Sequence, residues 1–182
     1  VMSDEWLGGM QTNRPMKACV PGGSSVPILP AELLFKTAKG ENRIMTYESM
    51  SDGGFATGSM IGSGGFIVYD DRACIVRNTW NFSRFYHHES CGQCSPCREG
   101  TGWLDKVTWR IEHGYGSMED IDLLWDIQRG IEGNTICPLG DAAAWPVAAA
   151  IRHFRHEFEY HVRFPEKIKD RKHFEHEPWE KV

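Results

Sequence analysis

The chain has 182 residues, of which 41% are hydrophobic and 25% are charged, and its formal net charge is -5. This composition is typical of a folded protein and excludes collagen-like, disordered and membrane-spanning classes. Acidic residues outnumber basic ones, so the charge balance does not indicate nucleic-acid binding. The N-terminal residues show no basic segment followed by an apolar stretch, which is the pattern of a secretory signal.

The first part of the chain is rich in Gly, Pro and Ser and is expected to be β-rich. Short apolar runs predict strands at residues 17–20 and 66–69, and a third strand at residues 74–77 that pairs with the second as a hairpin. Two glycine-rich loops, residues 21–25 and 52–65, match neither G-x-G-x-x-G nor G-x-x-x-x-G-K. We therefore interpret them as backbone turns.

The second part has helical periodicity and begins with a predicted helix at residues 78–88. A second helix is expected to start at Ser95 as N-cap, with Pro96 at its first helical position, and to stop at Gly114. Leu104, Val107, Thr108 and Ile111 define its apolar face. This face predicts burial against neighbouring helices.

Two more helices complete a predicted four-helix bundle. The third starts with the capping pattern at Ser117 and Asp120 and ends near residue 130. The fourth begins near Asp141, and Pro146 predicts either a start near residue 145 or a bend there. The charged segment 165–182 is interpreted as a solvated or partner-contacting tail.

Several residue types outside these patterns are expected to be structural. The lone cysteines Cys19 and Cys74 are interpreted as small buried hydrophobic residues. The helical histidines are expected on the solvated surface: His87, His88, His153 and His156. The bundle tryptophans are expected in the core: Trp103, Trp109, Trp125 and Trp145. No nucleophile with a paired base is evident, so no catalytic residue is predicted.

The remaining cysteines form the motif that carries chemistry. Cys91, Cys94 and Cys97 have C-x2-C-x2-C spacing, and the remote Cys137 is followed by Pro138. Three thiolates on one tight loop with a fourth from elsewhere favour a [4Fe-4S] cluster. A structural zinc site is the alternative, and it would need three ligands from one loop or a recruited histidine.

The surroundings of these cysteines suit a negatively charged cluster. Cys97 falls in the first turn of its predicted helix, where free backbone N–H groups and the helix dipole favour a thiolate. Amides of Gly92, Gln93 and Ser95 are candidate donors to sulfur, and Arg98 is either a nearby cation that raises the reduction potential or a surface residue. With four cysteine ligands, no iron of the cluster has a free coordination position for a substrate, so the expected role is single-electron transfer.

Three segments resemble the NADH-binding flavoprotein subunit of respiratory complex I. These are E-S-C-G-Q-C-S-P-C-R-E-G-T at 89–101, T-I-C-P-L-G-D-A-A-A-W-P-V at 135–147 and A-C-V-P-G-G-S-S-V-P-I-L at 18–29. The resemblance implies an α+β fold: a partial β-grasp module of the soluble-ligand-binding type at residues 1–76, lacking its start, and a four-helix bundle with an iron-sulfur cluster at 77–164. Residues 165–182 would be the tail.

The resemblance also implies the cofactors and the reaction. In that family, FMN and NAD(H) bind an upstream domain, and single electrons pass from FMN through a [4Fe-4S] cluster toward quinone in NADH:quinone oxidoreductase. Cys91, Cys94, Cys97 and Cys137 would be the four ligands. The chain would be a C-terminal portion of this flavoprotein that lacks the flavin and NADH segment and does not oxidise NADH by itself.

The resemblance further implies partners and location. The partners would be other subunits of the hydrophilic arm, especially the neighbouring iron-sulfur subunits, with no nucleic acid and no membrane span. The complex would hold the chain at the cytoplasmic face of the inner membrane, or on the matrix side in mitochondria. The same cassette occurs in diaphorase subunits of NAD-linked hydrogenases and formate dehydrogenases, which is one alternative. A zinc-stabilised interaction module is the other, and acid-labile sulfide would be missing from it.

Overall fold

The computed structural model of the chain describes residues 9–37 and 39–169. Its sheet has three antiparallel strands in the order β2-β1-β3: β1 is Met16–Val20, β2 is Leu29–Pro30 and β3 is Ile67–Asp70. Cys19 of β1 lies opposite Leu29 on one side and Val68 on the other. The predicted strands at 17–20 and 66–69 are confirmed to within one residue, whereas the two-residue β2 was not predicted.

Three short helices lie between β2 and β3. They are α1 (Ala31–Phe35), α2 (Tyr47–Met50) and α3 (Gly54–Thr57). The buried Arg43 ties this region together, since its guanidinium donates to the carbonyls of Met50 (3.0 Å) and Thr57 (2.8 Å). The second glycine-rich loop is therefore an ordered part of the fold that passes through α3.

The predicted strand at 74–77 and its hairpin are wrong. After β3, the carboxylate of Asp70 accepts the N–H groups of Arg72 (3.1 Å) and Ala73 (3.2 Å), which turns the chain. A helix, α4, then begins at Ile75 and ends at Glu89, and Cys74 is its N-cap. The Cys74 thiol accepts the N–H of Arg77 at 3.4 Å, so a short apolar run that resembles a strand is instead the start of a capped helix.

Four long helices pack on one another beside the sheet. After α4 come α5 (Ser95–Glu112), α6 (Met118–Ile131) and α7 (Leu139–Arg163); α5 contacts the other three, and α7 contacts α4 and α6. The predicted capping box of α6 is confirmed: Ser117 Oγ accepts the Asp120 N–H, and the Asp120 carboxylate accepts the Ser117 N–H. In α5 the N-cap is Cys94 rather than Ser95.

The proline in the fourth long helix lies inside it and does not start it. Helix α7 runs through Pro146, and its backbone leaves helical geometry only at Phe154 (φ -129°, ψ 25°). The expected start near residue 145 is therefore wrong, since the helix begins at Leu139. Residues 142–144 and 148–150 are alanines, which are the best helix formers and offset the single hydrogen bond that the proline removes.

One apolar core is shared by the sheet and the long helices. It includes Ala18 and Val20 from β1 and Val76 from α4, together with a larger set from the other helices: Leu104, Val107, Ile111, Ile121, Leu124, Ile131, Val147, Ile151, Phe154 and Phe158. A smaller cluster on the other face of the sheet has Cys19, Leu29, Leu34 and Met50. The core is thus continuous across the predicted domain boundary at residues 76 and 77, and the division into domains stays a prediction.

The predicted core positions of two tryptophans are wrong. Trp103 is 52% exposed and Trp109 is 41% exposed, whereas Trp125 and Trp145 are partly buried. Trp109 stacks on His113 with ring centroids 4.5 Å apart, so aromatic stacking on the surface of α5 replaces burial.

The predictions for the histidines and the tail are confirmed only in part. His87, His88 and His156 are exposed, but His153 is half-buried, and that burial lowers its pKa. Residues Pro165–Lys169 form a helix, α8, that packs on α7 and buries Ile168, so this part of the predicted tail is not solvated. The rest of the tail, 170–182, lies outside the described residues. None of the described helices has the length and apolar character needed to cross a membrane.

Candidate metal centre

Three of the four candidate ligands lie close together in the sequence: Cys91 and Cys94 on the short connection between α4 and α5, and Cys97 in the first turn of α5. Helix α4 is followed by Ser90, whose backbone is extended (φ -64°, ψ 124°). Gly92 then adopts φ +76°, a left-handed conformation that favours glycine. Cys94 caps α5, and Pro96 fixes its first turn. The connection and the first turn of α5 therefore carry Cys91, Cys94 and Cys97 together.

The sulfur atoms of this turn have polar neighbours. Cys97 is buried, and the hydroxyl oxygen of Ser90 lies 3.2 Å from its Sγ. The N–H of Gly92, expected to donate to sulfur, donates to Ser90 Oγ at 3.4 Å. Gly92 thus orients the hydroxyl, which is in position to donate to a thiolate at Cys97.

The fourth candidate, Cys137, lies on the connection between α6 and α7, which folds back onto the cysteine turn. The N–H of Ile136 donates to Cys94 Sγ at 3.4 Å, although the two residues are 42 positions apart. Within this connection, Thr135 Oγ1 donates to the Cys137 carbonyl at 3.0 Å, and Asp141 accepts the N–H of Gly133 at 2.7 Å. The structure therefore brings the segment of Cys137 to Cys94, as the sequence motif requires.

Arg98 holds the cysteine turn in shape. Its Nη1 donates to the Gly92 carbonyl at 3.1 Å, its Nη2 donates to Ser95 Oγ at 3.4 Å, and its Nε pairs with Glu99 at 2.9 Å. The guanidinium is about half exposed. It therefore clamps the backbone around Cys91 and Cys94 and also places a positive charge beside them.

The chemistry of this donor set fits an iron-sulfur cluster. All four cysteines are free thiols; Cys91 and Cys137 are exposed, and Cys94 is partly buried. A single zinc ion with Zn–S bonds of about 2.3 Å would draw its sulfurs to about 3.8 Å from one another. Within residues 9–37 and 39–169, the one group of three metal-binding side chains with donor atoms within 4.8 Å of each other contains none of these cysteines. The four thiols are therefore not gathered at the spacing that a single zinc ion requires.

That other group could not be found from the sequence. It consists of Cys74, Glu112 and His161, all buried. Glu112 and His161 are 49 positions apart, and neither belongs to a recognisable short motif, so no local signal marks the group. Cys74 is buried as predicted, but it has polar contacts and is not a simple hydrophobic residue.

Comparison with known proteins places the cysteines within a known type of domain. Residues 77–161 match the family model of the NADH-ubiquinone oxidoreductase-F iron-sulfur binding region. The NADH-quinone oxidoreductase F-subunit of Rickettsia bellii (strain OSU 85-389) is 47% identical over 148 residues, which cover 81% of this chain and 33% of that protein. Its counterpart in Mycobacterium bovis is 44% identical over 158 residues, which cover 87% of this chain and 33% of the relative.

A solved structure is similar as well. A chain of the NAD+-reducing [NiFe]-hydrogenase in the H2-reduced state superimposes with a TM-score of 0.67 and 30% identity, covering 82% of this chain and 24% of the hydrogenase chain. The predicted resemblance to the flavoprotein subunit is confirmed, as is the mixed α and β architecture. The present chain spans about a third of the length of the curated relatives it matches.

Proposed function

Because the chain belongs to the family of the NADH-ubiquinone oxidoreductase-F iron-sulfur binding region, which its residues 77–161 match, we propose that Cys91, Cys94, Cys97 and Cys137 together hold one [4Fe-4S] cluster. The observation that carries this assignment is the 3.4 Å hydrogen bond from the Ile136 N–H to Cys94 Sγ. It places a residue adjacent to Cys137 against the cysteine turn. Two separate connections therefore supply the three-plus-one arrangement of thiolates that a cubane cluster needs.

The function we propose is electron transfer. When bound, a cluster of this type accepts and releases one electron at a time. With a cysteine on every iron, no coordination position remains for a substrate, which supports a relay role. Ser90 and the Ile136 N–H stabilise negative charge on Cys97 and Cys94, and Arg98 adds a nearby cation. These contacts favour the reduced state and raise the reduction potential.

We place the chain within NADH:quinone oxidoreductase, where it would receive single electrons from FMN and pass them on toward quinone. Its identity of 44% and 47% to NADH-quinone oxidoreductase flavoproteins supports this context. The FMN and NAD(H) sites would belong to parts of the relatives that this chain does not match. The partners would be neighbouring iron-sulfur subunits of the hydrophilic arm, peripheral to the inner membrane on its cytoplasmic or matrix side.

We also propose that the chain is divided into a β-grasp module and a four-helix bundle. The three-stranded sheet with α1 to α3 would be a partial β-grasp module at residues 1–76, and α4 to α7 would be the four-helix bundle at 77–164. The bundle supports both cysteine connections at one end, since α4 leads into the first and α6 leads into the second.

A diaphorase subunit of an NAD-linked hydrogenase is the second candidate. The structural similarity to the NAD+-reducing [NiFe]-hydrogenase supports it. The role of the four cysteines would be the same in both settings, and only the final electron acceptor would differ. Co-purification of the chain with quinone-reducing activity or with hydrogenase activity from its natural source separates the two.

The ligand assignment is tested by Cys137→Ala. We expect this variant to lose the four-iron cluster because one iron has no thiolate ligand. Cys19→Ala, which removes a buried thiol of the sheet, is the control and should keep the cluster. The measurement is iron and acid-labile sulfide per chain after anaerobic purification. Full retention of both in Cys137→Ala, or their loss in Cys19→Ala, would contradict the assignment.

The electron-transfer role is tested by a reductive titration. The anaerobic chain is titrated with a photochemically reduced flavin while its visible absorbance is recorded. We expect an uptake of about one electron per chain, as one cluster of this type allows. A chain that contains iron and sulfide but takes up no electron would contradict the proposed function and leave the ligand assignment intact.

A further inference from the structure

Three buried side chains from different parts of the chain lie close together at the N-terminal end of α4. Cys74 is the N-cap of α4, Glu112 is the last residue of α5, and His161 lies near the end of α7. Cys74 Sγ lies 3.4 Å from His161 Nε2 and 3.8 Å from Glu112 Oε2, and the three side chains bring one donor atom each to within 4.8 Å of the others. Both Glu112 and His161 have fully buried side chains.

We propose that Cys74, Glu112 and His161 form a zinc site separate from the four-cysteine set. Thiolate, imidazole and carboxylate are the three ligand types that Zn²⁺ takes in proteins. With bonds of about 2.3 Å to sulfur and about 2.05 Å to nitrogen or oxygen, a tetrahedral ion spaces a sulfur about 3.6 Å from each light ligand atom. The observed 3.4 and 3.8 Å separations lie on either side of that value.

The neighbours of the three side chains hold them in ligating orientation. His161 Nδ1 lies 3.4 Å from the Ile111 carbonyl, to which it is placed to donate, and this leaves the Nε2 lone pair facing Cys74. Arg77 Nη1 donates to Glu112 Oε1 at 3.3 Å, so the other oxygen of the carboxylate faces the thiol. The Arg77 N–H also donates to Cys74 Sγ at 3.4 Å. Such outer contacts are typical of metal-binding histidines and carboxylates.

The site has a route to solvent. Cys74 lines a cavity of about 730 Å³ together with Tyr69, Arg72 and Asn78. A water molecule from this cavity would complete the tetrahedron. On binding, the Cys74 thiol releases its proton to solvent as the Zn–S bond forms, and the thiolate and the Glu112 carboxylate together neutralise the two charges of Zn²⁺.

The consequence of zinc binding would be structural. The ion would link the turn between β3 and α4 to the C-terminal ends of α5 and α7. It would fix the start of α4, whose other end leads into the cysteine turn. Without an ion, the same side chains would form a buried hydrogen-bonded network, and the zinc content of the chain distinguishes the two states.

The test is zinc content combined with zinc K-edge X-ray absorption on the chain purified anaerobically, supplied with Zn²⁺ and dialysed. We expect one zinc per chain with one sulfur and the remaining ligands nitrogen or oxygen. Cys74→Ser should lower zinc at least tenfold while serine still caps α4. His161→Gln should also lower zinc at least tenfold. Cys19→Ala is the control with unchanged zinc.

Three results would overturn the proposal. Wild-type chain with less than one tenth of an equivalent of zinc would show that the three side chains form only a polar network. Full zinc retention by Cys74→Ser would show that the ion binds elsewhere. Zinc coordinated by four sulfurs would place it on the four-cysteine set, and this result would also contradict the iron-sulfur assignment, which iron and sulfide content tests independently.

Discussion

The packing of the cysteine-bearing helix against its neighbour gives a sharp prediction at Gly100. This residue lies on α5, about one turn after Cys97. A Cβ added at Gly100 would lie 2.5 Å from Cγ1 and 2.7 Å from Cδ1 of Ile131 on α6. Ordinary contacts between carbon atoms are about 3.5–4.0 Å, so Gly100→Ala requires a displacement of about 1 Å. Ile131 is fully buried and cannot turn out into solvent.

The expected cost follows from two opposing effects. Overpacking of this kind destabilises a core by about 1–3 kcal/mol, and the severity of this clash favours the upper end. Replacing a helical glycine with alanine contributes about 1 kcal/mol in the opposite direction. Gly100→Ala should therefore lower the free energy of unfolding by about 2 kcal/mol. Gly130→Ala on α6 is the matched control, because nothing lies within 4 Å of the added Cβ and only the favourable effect remains.

The assay is thermal unfolding of the anaerobic proteins, followed by circular dichroism at one scan rate. At about 2–4 °C per kcal/mol for a chain of this size, Gly100→Ala should unfold about 4–8 °C lower than wild type and Gly130→Ala about 2–4 °C higher. Gly100→Ala with an unchanged or higher midpoint would refute the close approach of α5 and α6. So would two variants that behave alike.

Three further predictions concern the rest of the fold. Ser117→Ala removes the N-cap of α6 and should cost about 1 kcal/mol, measured by urea unfolding; an unchanged midpoint would contradict the capping box. Lys17→Met leaves the buried Glu157, 2.7 Å from Lys17 Nζ, without its cation and should cost about 3 kcal/mol at pH 7. Burial raises the pKa of Glu157, and Lys17 opposes this rise. In the variant, the folded state therefore loses stability as the pH rises above the pKa that Glu157 has in the unfolded chain. The cost must be smaller at pH 5 than at pH 7, and equal costs at both pH values would refute the pairing. Truncation after Phe164 removes the buried Ile168 and should lower thermal stability without loss of iron, and a truncated chain without its cluster would contradict this.

Much of the site could be predicted because its signals are local. The spacing of Cys91, Cys94 and Cys97 keeps them close together, and Pro96 marks the start of the next helix. The Ser117 capping pattern locates α6 because both of its hydrogen bonds lie within four residues. The remote Cys137 is predicted as the fourth ligand from its following proline and the resemblance, and the structure adds the contact of the neighbouring Ile136 with Cys94.

The features that were not predicted depend on tertiary contacts or on unusual local chemistry. Cys74 caps α4 with a thiol, whereas the common N-caps are Ser, Thr, Asp and Asn, so the capped start resembled a strand. Trp109 is exposed and stacks on His113, an arrangement that its hydrophobicity does not predict. The meeting of Glu112 with His161 depends on how α5 and α7 cross, and no short-range pattern encodes it.

The proposal that four cysteines hold one [4Fe-4S] cluster is tested most directly by the iron and sulfide content of the chain. Iron and acid-labile sulfide are determined on the anaerobically purified chain, together with the electron paramagnetic resonance spectrum after reduction. We expect about four irons and four sulfides per chain and the signal of a reduced cluster. Zinc bound by four sulfurs, with no sulfide and no signal, would contradict the proposal and would make the four-cysteine set a structural metal site.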